Sequence, residues 1–133
     1  MATVKQFEDL GVWQDARRLV QAVYSVSKQR AFYRDGGLRE QIRRAATSTM
    51  SNVAEGFERG SRKEFVQFLN IAKGSNGEVR SQLYVALDQA YLSEKEFNSL
   101  RDSAVILSRR LASFIRYLAS YPENSRVRKT GKR

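Results

Sequence analysis

The chain of 133 residues contains no cysteine and no histidine, and these two absences exclude whole classes of function. Without cysteine there are no disulfides and no thiolate chemistry. Without either residue there is no zinc site of the usual Cys and His type, and a Ser-His-Asp triad is excluded as well. The lack of cysteine also fits a reducing cytoplasm.

Proline and long apolar runs are scarce too. Pro122 is the only proline, so nothing before it interrupts long helices. No apolar run approaches the ~20 residues that span a bilayer. The N-terminal segment MATVKQFEDL lacks the apolar core of a signal peptide. We therefore expect a cytoplasmic protein that does not bind membranes.

Acidic residues are outnumbered by basic ones. The chain has 24 basic and 14 acidic residues, a net charge of +10 and a pI of about 10.3. A pI above ~9 is typical of nucleic-acid-binding domains. Residues 122–133 alone carry five basic residues and one acidic residue. We predict one domain over residues 1–121, followed by a basic, disordered tail over residues 122–133.

Apolar residues recur at helical spacing in four segments, over about residues 10–30, 38–58, 62–91 and 94–121. Gly36 and Gly37 are interpreted as turn residues between the first two segments. Ser61 with Glu64 and Ser93 with Glu96 have the spacing of capping boxes. Gly60 is well placed to end the second helix, and the third is expected to continue through its internal glycines. Strand alternation is absent and the joins are short. The pattern predicts an all-α, antiparallel up-down-up-down four-helix bundle.

Some apolar residues fall outside the four main stripes. They lie on the third and fourth helices and form a second stripe: Val66, Ile71, Tyr84, Val85, Tyr91, Val105 and Ile115. A helix with two apolar stripes favours contact with a second surface, although a wide core face would also account for the pattern. We interpret the second stripe as a self-association surface.

No constellation of residues predicts catalysis. Glu55 and Glu58 share a helix face, but a di-metal bundle would also need histidine partners. The segment GFERGS lacks the Lys-Ser/Thr ending of a phosphate-binding loop and follows no strand. We therefore predict a protein that is not an enzyme and that carries no metal or other cofactor.

The basic residues are the remaining candidates for a site. Arginine forks suit phosphate oxygens, and such contacts hold a nucleic acid without reading its sequence. An ordinary charged outer face, with ion pairs to Glu40, Asp102 or Glu64, is the competing interpretation. The candidate nucleic-acid contacts are Arg39, Arg43, Arg44, Arg59, Arg62, Lys63, Arg109, Arg110, Arg116, Arg126, Arg128 and Lys129.

Three stretches resemble a known family: FEDLGVWQDARRLV, LREQIRRAATSTMSNVAEGFERGSRKEFVQFLNIAKGSNGEVRSQL and LDQAYLSEKEF. They are similar to the four-helix bundle proteins encoded in intervening sequences of bacterial 23S rRNA genes, over about residues 7–118. The resemblance implies a ring-like homopentamer. It also implies a relation to the accessory variability determinant of diversity-generating retroelements, a basic pentameric barrel that binds a reverse transcriptase and nucleic acid. It implies no catalytic residue, and it does not fix which basic residues meet a nucleic acid.

The expected function is therefore non-enzymatic binding of RNA or DNA by an oligomer, through phosphate contacts and with weak sequence preference. The alternative is an accessory or scaffold subunit that binds a protein, such as the reverse transcriptase of a diversity-generating retroelement. A third hypothesis is a small-molecule site in the core, where the second helix has a face of small residues.

Overall fold

The computed structural model describes residues 4–121, and every regular element in that range is helical. A short 3-10 helix, Phe7–Asp9, is followed by five α-helices: α1 Gly11–Ser27, α2 Arg30–Arg34, α3 Gly36–Glu58, α4 Arg62–Asp88 and α5 Glu94–Ala119. The predicted all-α helical bundle is confirmed. The predicted tail, residues 122–133, lies outside the described residues.

The four long helices pack side by side around one core. α3 packs against α1 and α4, and α5 also packs against α1 and α4. Along α4 and α5 the contacts run in opposite directions. The ring centroids of Phe65 and Phe114 are 5.5 Å apart, and those of Tyr84 and Phe97 are 4.8 Å apart. These two helices are therefore antiparallel.

A row of phenylalanines crosses the core near the corner between α3 and α4. Phe57, Phe65 and Phe114 form edge-to-face pairs with ring centroids 6.0 and 5.5 Å apart. Burying one such side chain stabilises the fold by ~1.5–3 kcal/mol, and each edge-to-face pair adds ~0.5–1.5 kcal/mol. The row joins α3, α4 and α5 into one packing unit.

Gly56 marks a close approach of α3 to α4. A Cβ atom at this position would lie only 2.7 Å from Cβ of Phe68 and 3.0 Å from the ring of Phe65. The small-residue face of α3 therefore receives the two phenylalanines of α4. Near this end of α3, Phe65 and Phe68 fill the space beside Gly56.

The segment between α1 and α3 differs from the prediction. The first helix ends at Ser27, and the short helix α2 occupies part of the predicted break. Phe32 holds α2 in place because its ring is fully buried and stacks on Tyr91 at 5.5 Å. A single buried aromatic in a five-residue segment has no period, so the sequence pattern does not reveal this helix.

The interpretation of Gly36 and Gly37 as turn residues is wrong. They are the first two residues of α3, and Asp35 is its N-cap. The backbone N–H of Leu38 donates to Oδ1 of Asp35 at 3.1 Å. A capping carboxylate satisfies one of the donors left over at a helix start, so the helix can begin on two glycines.

The other helix ends follow the sequence signals closely. At the start of α5 both hydrogen bonds of the Ser93–Glu96 capping box are present. At the start of α4 only one half forms: Ser61 Oγ accepts from the N–H of Glu64, and the Glu64 carboxylate accepts from the Ser61 hydroxyl rather than its backbone. Gly60 ends α3 with φ +83°, as its position predicts. α4 continues without a break through both internal glycines, as expected.

Candidate nucleic-acid interface

The described basic candidates lie at two ends of the bundle. At one end, Arg43 near the start of α3 donates from Nε to Oγ of Ser27 at the end of α1, at 2.8 Å. At the other end, Arg110 on α5 forms an ion pair with Asp15 near the start of α1. We call these the α2 end and the corner end, after the helix α2 and the corner between α3 and α4.

At the α2 end, arginines stack on tyrosines. The Arg39 guanidinium lies over the Tyr33 ring with Cζ 4.4 Å from its centroid, and Arg43 lies over Tyr24 at the same distance. Cζ of Arg43 is also 5.9 Å from the Tyr33 centroid. We call Tyr24, Tyr33, Arg39 and Arg43 the tyrosine–arginine cluster. It joins α1, α2 and α3.

The charge of this cluster is weakly neutralised. Among residues 4–121 no carboxylate lies within 4.0 Å of a charged nitrogen of Arg43, and its Nη2 atom is buried without a hydrogen-bond partner. Arg39 approaches Glu40 at 3.4 Å. Residues 24–44 contain six basic residues and two acidic ones. Of those two acids, Asp35 caps α3 and accepts a hydrogen bond from the Tyr91 hydroxyl at 2.9 Å.

Sequence reasoning missed the basic residues beside this cluster. Lys28, Arg30 and Arg34 are exposed on and next to α2, the helix that also carries the half-exposed Tyr33. The signal is present as RAFYR, in which arginines flank aromatic residues, but helical periodicity alone indicates only a break in this segment.

The predicted contact Arg44 lies apart from the tyrosine–arginine cluster. It lines a groove of about 280 Å³ between α3 and α4, together with Glu78 and Gln82.

At the corner end, Arg59 is paired. Its guanidinium lies 3.0 Å from Glu55 and 3.5 Å from Glu64, and it also stacks over Phe68 at 5.0 Å. The predicted partner Glu64 is thus confirmed for this arginine. Because two carboxylates already surround Arg59, an added phosphate would have to displace them.

The remaining corner-end candidates are spread over different surfaces. Arg62 is half-buried with its Nε atom lacking a hydrogen-bond partner, and Lys63 is exposed. On α5, Arg109 is exposed, and Arg116 donates to the Ser113 hydroxyl at 3.2 Å. Arg110, paired with Asp15, lines a groove of about 430 Å³ between α1 and α5. The candidates Arg126, Arg128 and Lys129 lie outside the described residues.

Two carboxylates of the described chain, Glu96 and Asp35, hold helix ends in place. The pKa of Glu96 is lowered, first by the backbone N–H of Ser93 and then by the side-chain amide of Gln29. The pKa of Tyr91 is raised, first by its hydrogen bond to Asp35 and further by burial and the Asp35 charge. Within residues 4–121 no three acidic side chains are grouped in a way that could hold a metal ion.

None of the helices described here combines the length and the apolar character needed to cross a lipid bilayer.

A crystal structure shows the same fold. It is that of a protein of unknown function from the S23 ribosomal protein family of Bacteroides thetaiotaomicron VPI-5482, with a TM-score of 0.74 and 22% sequence identity. The alignment covers 79% of this chain and 95% of that chain. At this identity the likeness shows the fold alone. No curated protein matches the chain.

A match to a protein-family model shows the family to which the chain belongs. The model of the 23S rRNA-intervening sequence protein family matches residues 8–113. This range contains α1 to α4 and most of α5, and therefore the corner segment and the capping signals on which the resemblance is based. The chain belongs to the 23S rRNA-intervening sequence protein family.

Proposed function

We propose that this protein is a non-enzymatic, cytoplasmic nucleic-acid-binding protein that holds RNA or DNA through phosphate contacts, with weak sequence preference. The observation that carries the proposal is the basic surface of the α2 end. Arg43 there has no carboxylate partner among the described residues, and Arg30 and Arg34 are exposed. A surface whose cations lack counter-ions attracts a polyanion more strongly than one whose cations are already paired.

Exposed arginines at the α2 end should contribute more to binding than paired ones. The double variant Arg30→Gln/Arg34→Gln removes two exposed cations from α2. We expect it to weaken binding of a labelled RNA by roughly tenfold and to reduce the salt slope by ~1–2, about one unit for each phosphate that is no longer neutralised. Fluorescence anisotropy at several salt concentrations measures both quantities.

The matched control is Arg59→Gln, which removes one cation that two carboxylates already neutralise. Its affinity for RNA should stay within about twofold of the parent protein, because a cation already neutralised by Glu55 and Glu64 attracts a phosphate weakly. An Arg59→Gln variant that loses as much affinity as the α2 double variant would contradict the assignment of the site to the α2 end.

We propose further that the four long helices form an up-down-up-down bundle and that the bundle assembles into a homopentameric ring. The observation that favours assembly is the outer face of α4. Ile71, Tyr84 and Val85 are exposed by 44% to 51% on this helix. A Cβ atom placed on Gly74 or Gly77 would meet nothing within 4 Å. Neither glycine is needed for packing inside the chain, although each costs a helix ~1 kcal/mol relative to alanine.

The second apolar stripe is smaller than predicted. Val66, Tyr91 and Ile115 pack partly against the core, and Val105 is half-buried. What remains outside is an exposed apolar strip of α4, formed by Ile71, Tyr84 and Val85, and at Gly74 and Gly77 between them another backbone could approach closely. A ring would place several basic surfaces on one assembly, and linked weak sites bind a long nucleic acid more tightly than one site does. Light scattering on nuclease-treated protein tests the assembly, and a monomer would overturn it.

The alternative function is an accessory subunit for a protein such as the reverse transcriptase of a diversity-generating retroelement. The same exposed apolar strip on α4 favours it, since such a strip fits a protein more readily than a phosphate backbone. Copurification with and without nuclease separates the two functions. A partner that is released by nuclease supports nucleic-acid binding, whereas a protein partner that survives nuclease supports the accessory role.

A further inference from the structure

Tyr33 is an unusual residue to leave exposed. It lies on α2 with half of its surface open to solvent, whereas its neighbour Phe32 is fully buried. Arg39 lies over the ring at 4.4 Å, and its side chain is only 21% exposed. The ring is thus held in place by an arginine and still presents an aromatic surface.

A second exposed tyrosine provides a comparison. Tyr84 on α4 is 48% exposed, but its ring packs edge-on against Phe97 at 4.8 Å, and its neighbour in sequence Val85 is also exposed. None of the cation–π contacts found among residues 4–121 involves Tyr84. The ring of Tyr84 therefore rests on another aromatic side chain, whereas the ring of Tyr33 rests on a cation.

We propose that Tyr33 is a stacking platform for an unpaired base and that the α2 end binds single-stranded rather than double-stranded nucleic acid. The proposal rests on the proposed nucleic-acid-binding function and gives it a substrate class. A base presents an aromatic face only where it is not paired and stacked in a duplex, and stacking on protein aromatics is worth ~1–3 kcal/mol per base.

The surrounding residues fit this role. Arg30 and Arg34 flank the ring in sequence on the same short helix and are exposed, so they can contact phosphates on either side of a stacked base. Arg39 and Arg43, stacked on Tyr33 and Tyr24, raise the local positive potential. Stacking does not distinguish one base from another, which agrees with weak sequence preference.

The test compares strands with duplexes. Labelled oligonucleotides of about eight nucleotides, within the ~4–16 that one binding site commonly covers, are titrated as single-stranded RNA, single-stranded DNA and duplex of equal length. We expect the parent protein to bind both single strands more tightly than the duplex. Tyr33→Leu, which keeps an apolar side chain and removes the ring, should weaken single-strand binding by roughly fivefold or more and leave duplex binding within about twofold.

The variant Tyr33→Trp distinguishes base stacking from a purely structural role of this side chain. It keeps an aromatic face, so single-strand affinity should be retained, and its indole fluorescence should be quenched when a base stacks on it. The background comes from Trp13, which is buried. Ile106→Ala removes an equally exposed apolar side chain from α5, outside both proposed surfaces, and should leave single-strand affinity unchanged.

The outcomes separate this inference from the function on which it rests. Protein that binds neither strand nor duplex would overturn the proposed function itself. Protein that binds the duplex as tightly as the single strand, or a Tyr33→Leu variant with parental single-strand affinity, would overturn the stacking platform and leave phosphate binding standing. Equal binding of RNA and DNA strands is expected, since stacking uses the face of the base, which the two nucleic acids share.

Discussion

Glu96 serves two partners at the start of α5. One carboxylate oxygen accepts the backbone N–H of Ser93 at 2.9 Å, and the other accepts the side-chain amide of Gln29 at 2.6 Å. The first bond caps the helix, and the second ties α5 to the residue that precedes α2. A charged carboxylate at this place also interacts favourably with the helix dipole. A single residue therefore stabilises the start of α5 and also holds the segment that leads into α2.

Glu96 should make the stability of the fold depend on pH in the acid range. Its pKa in the folded protein lies below the ordinary value of 4.5, so its contribution is present above about that pH and is lost as the pH falls through the lowered pKa. We expect Glu96→Gln to lower the free energy of unfolding by ~0.5–1 kcal/mol at neutral pH. The deficit relative to the parent protein should shrink toward pH 3.

Urea denaturation at both pH values measures this difference. Glu94→Gln is the control, because Glu94 is exposed at the same helix start and makes no hydrogen bond through its side chain among those described. A Glu96→Gln deficit that stays constant between neutral pH and pH 3 would show that the charged carboxylate is not what the cap requires.

At the scale of single elements, α4 has an unusual outer face for a helix that is exposed to solvent. Its inner face carries Phe65, Leu69 and Val79 in the core, but its outer face combines exposed apolar side chains with two glycines that nothing in the chain requires. If the helix faced only solvent, alanine at both glycines would strengthen it. Such a face is what the proposed assembly would require.

The double variant Gly74→Ala/Gly77→Ala should separate helix stability from assembly. In the isolated chain each added methyl group meets open space, so we expect helix stability to rise by up to ~1 kcal/mol per site. If a second copy lies closely on this face, the methyl groups hold it away, and the mass in solution should fall. Light scattering and thermal denaturation on one sample measure both effects.

A variant that is more stable than the parent and keeps its mass would show that the glycines do not face a second copy. In that case the exposed residues of α4 would need another explanation.

The helices were predictable from the sequence to the extent that their signals are local or periodic. Ser93 with Glu96 and Gly60 determine helix ends through contacts with their own neighbours, and the long stripes of α4 and α5 repeat often enough to be recognised. α2 has neither property. Its place is fixed by the long-range contact between Phe32 and Tyr91, which no local pattern contains.

The candidate site was harder to predict for the same reason. Their positive charge made Arg39 and Arg43 candidate nucleic-acid contacts, but the same argument applied equally to Arg59 and Arg110. Only the structure shows that Asp15 pairs with Arg110 and that two glutamates surround Arg59. The members of the tyrosine–arginine cluster come from three different helices, and no local sequence pattern shows that they meet.

At the scale of the whole molecule, the excess positive charge is the property that a partner would first encounter. A net charge of +10 on a chain of this length steers anions from a distance and is screened by salt. At the corner end Arg59 and Arg110 are paired with carboxylates, whereas at the α2 end Arg43 has no carboxylate within 4.0 Å among residues 4–121. A polyanion is the partner that gains most from such a surface.

The salt dependence of RNA binding by nuclease-treated protein tests this account most directly. A labelled single-stranded RNA is titrated at several salt concentrations between about 50 and 200 mM, and the logarithm of the binding constant is plotted against that of the salt concentration. The account predicts measurable binding at low salt and a linear fall of roughly tenfold or more over this range, from the release of several counterions. Absence of binding at about 50 mM salt, or an affinity that stays constant across the range, would contradict it.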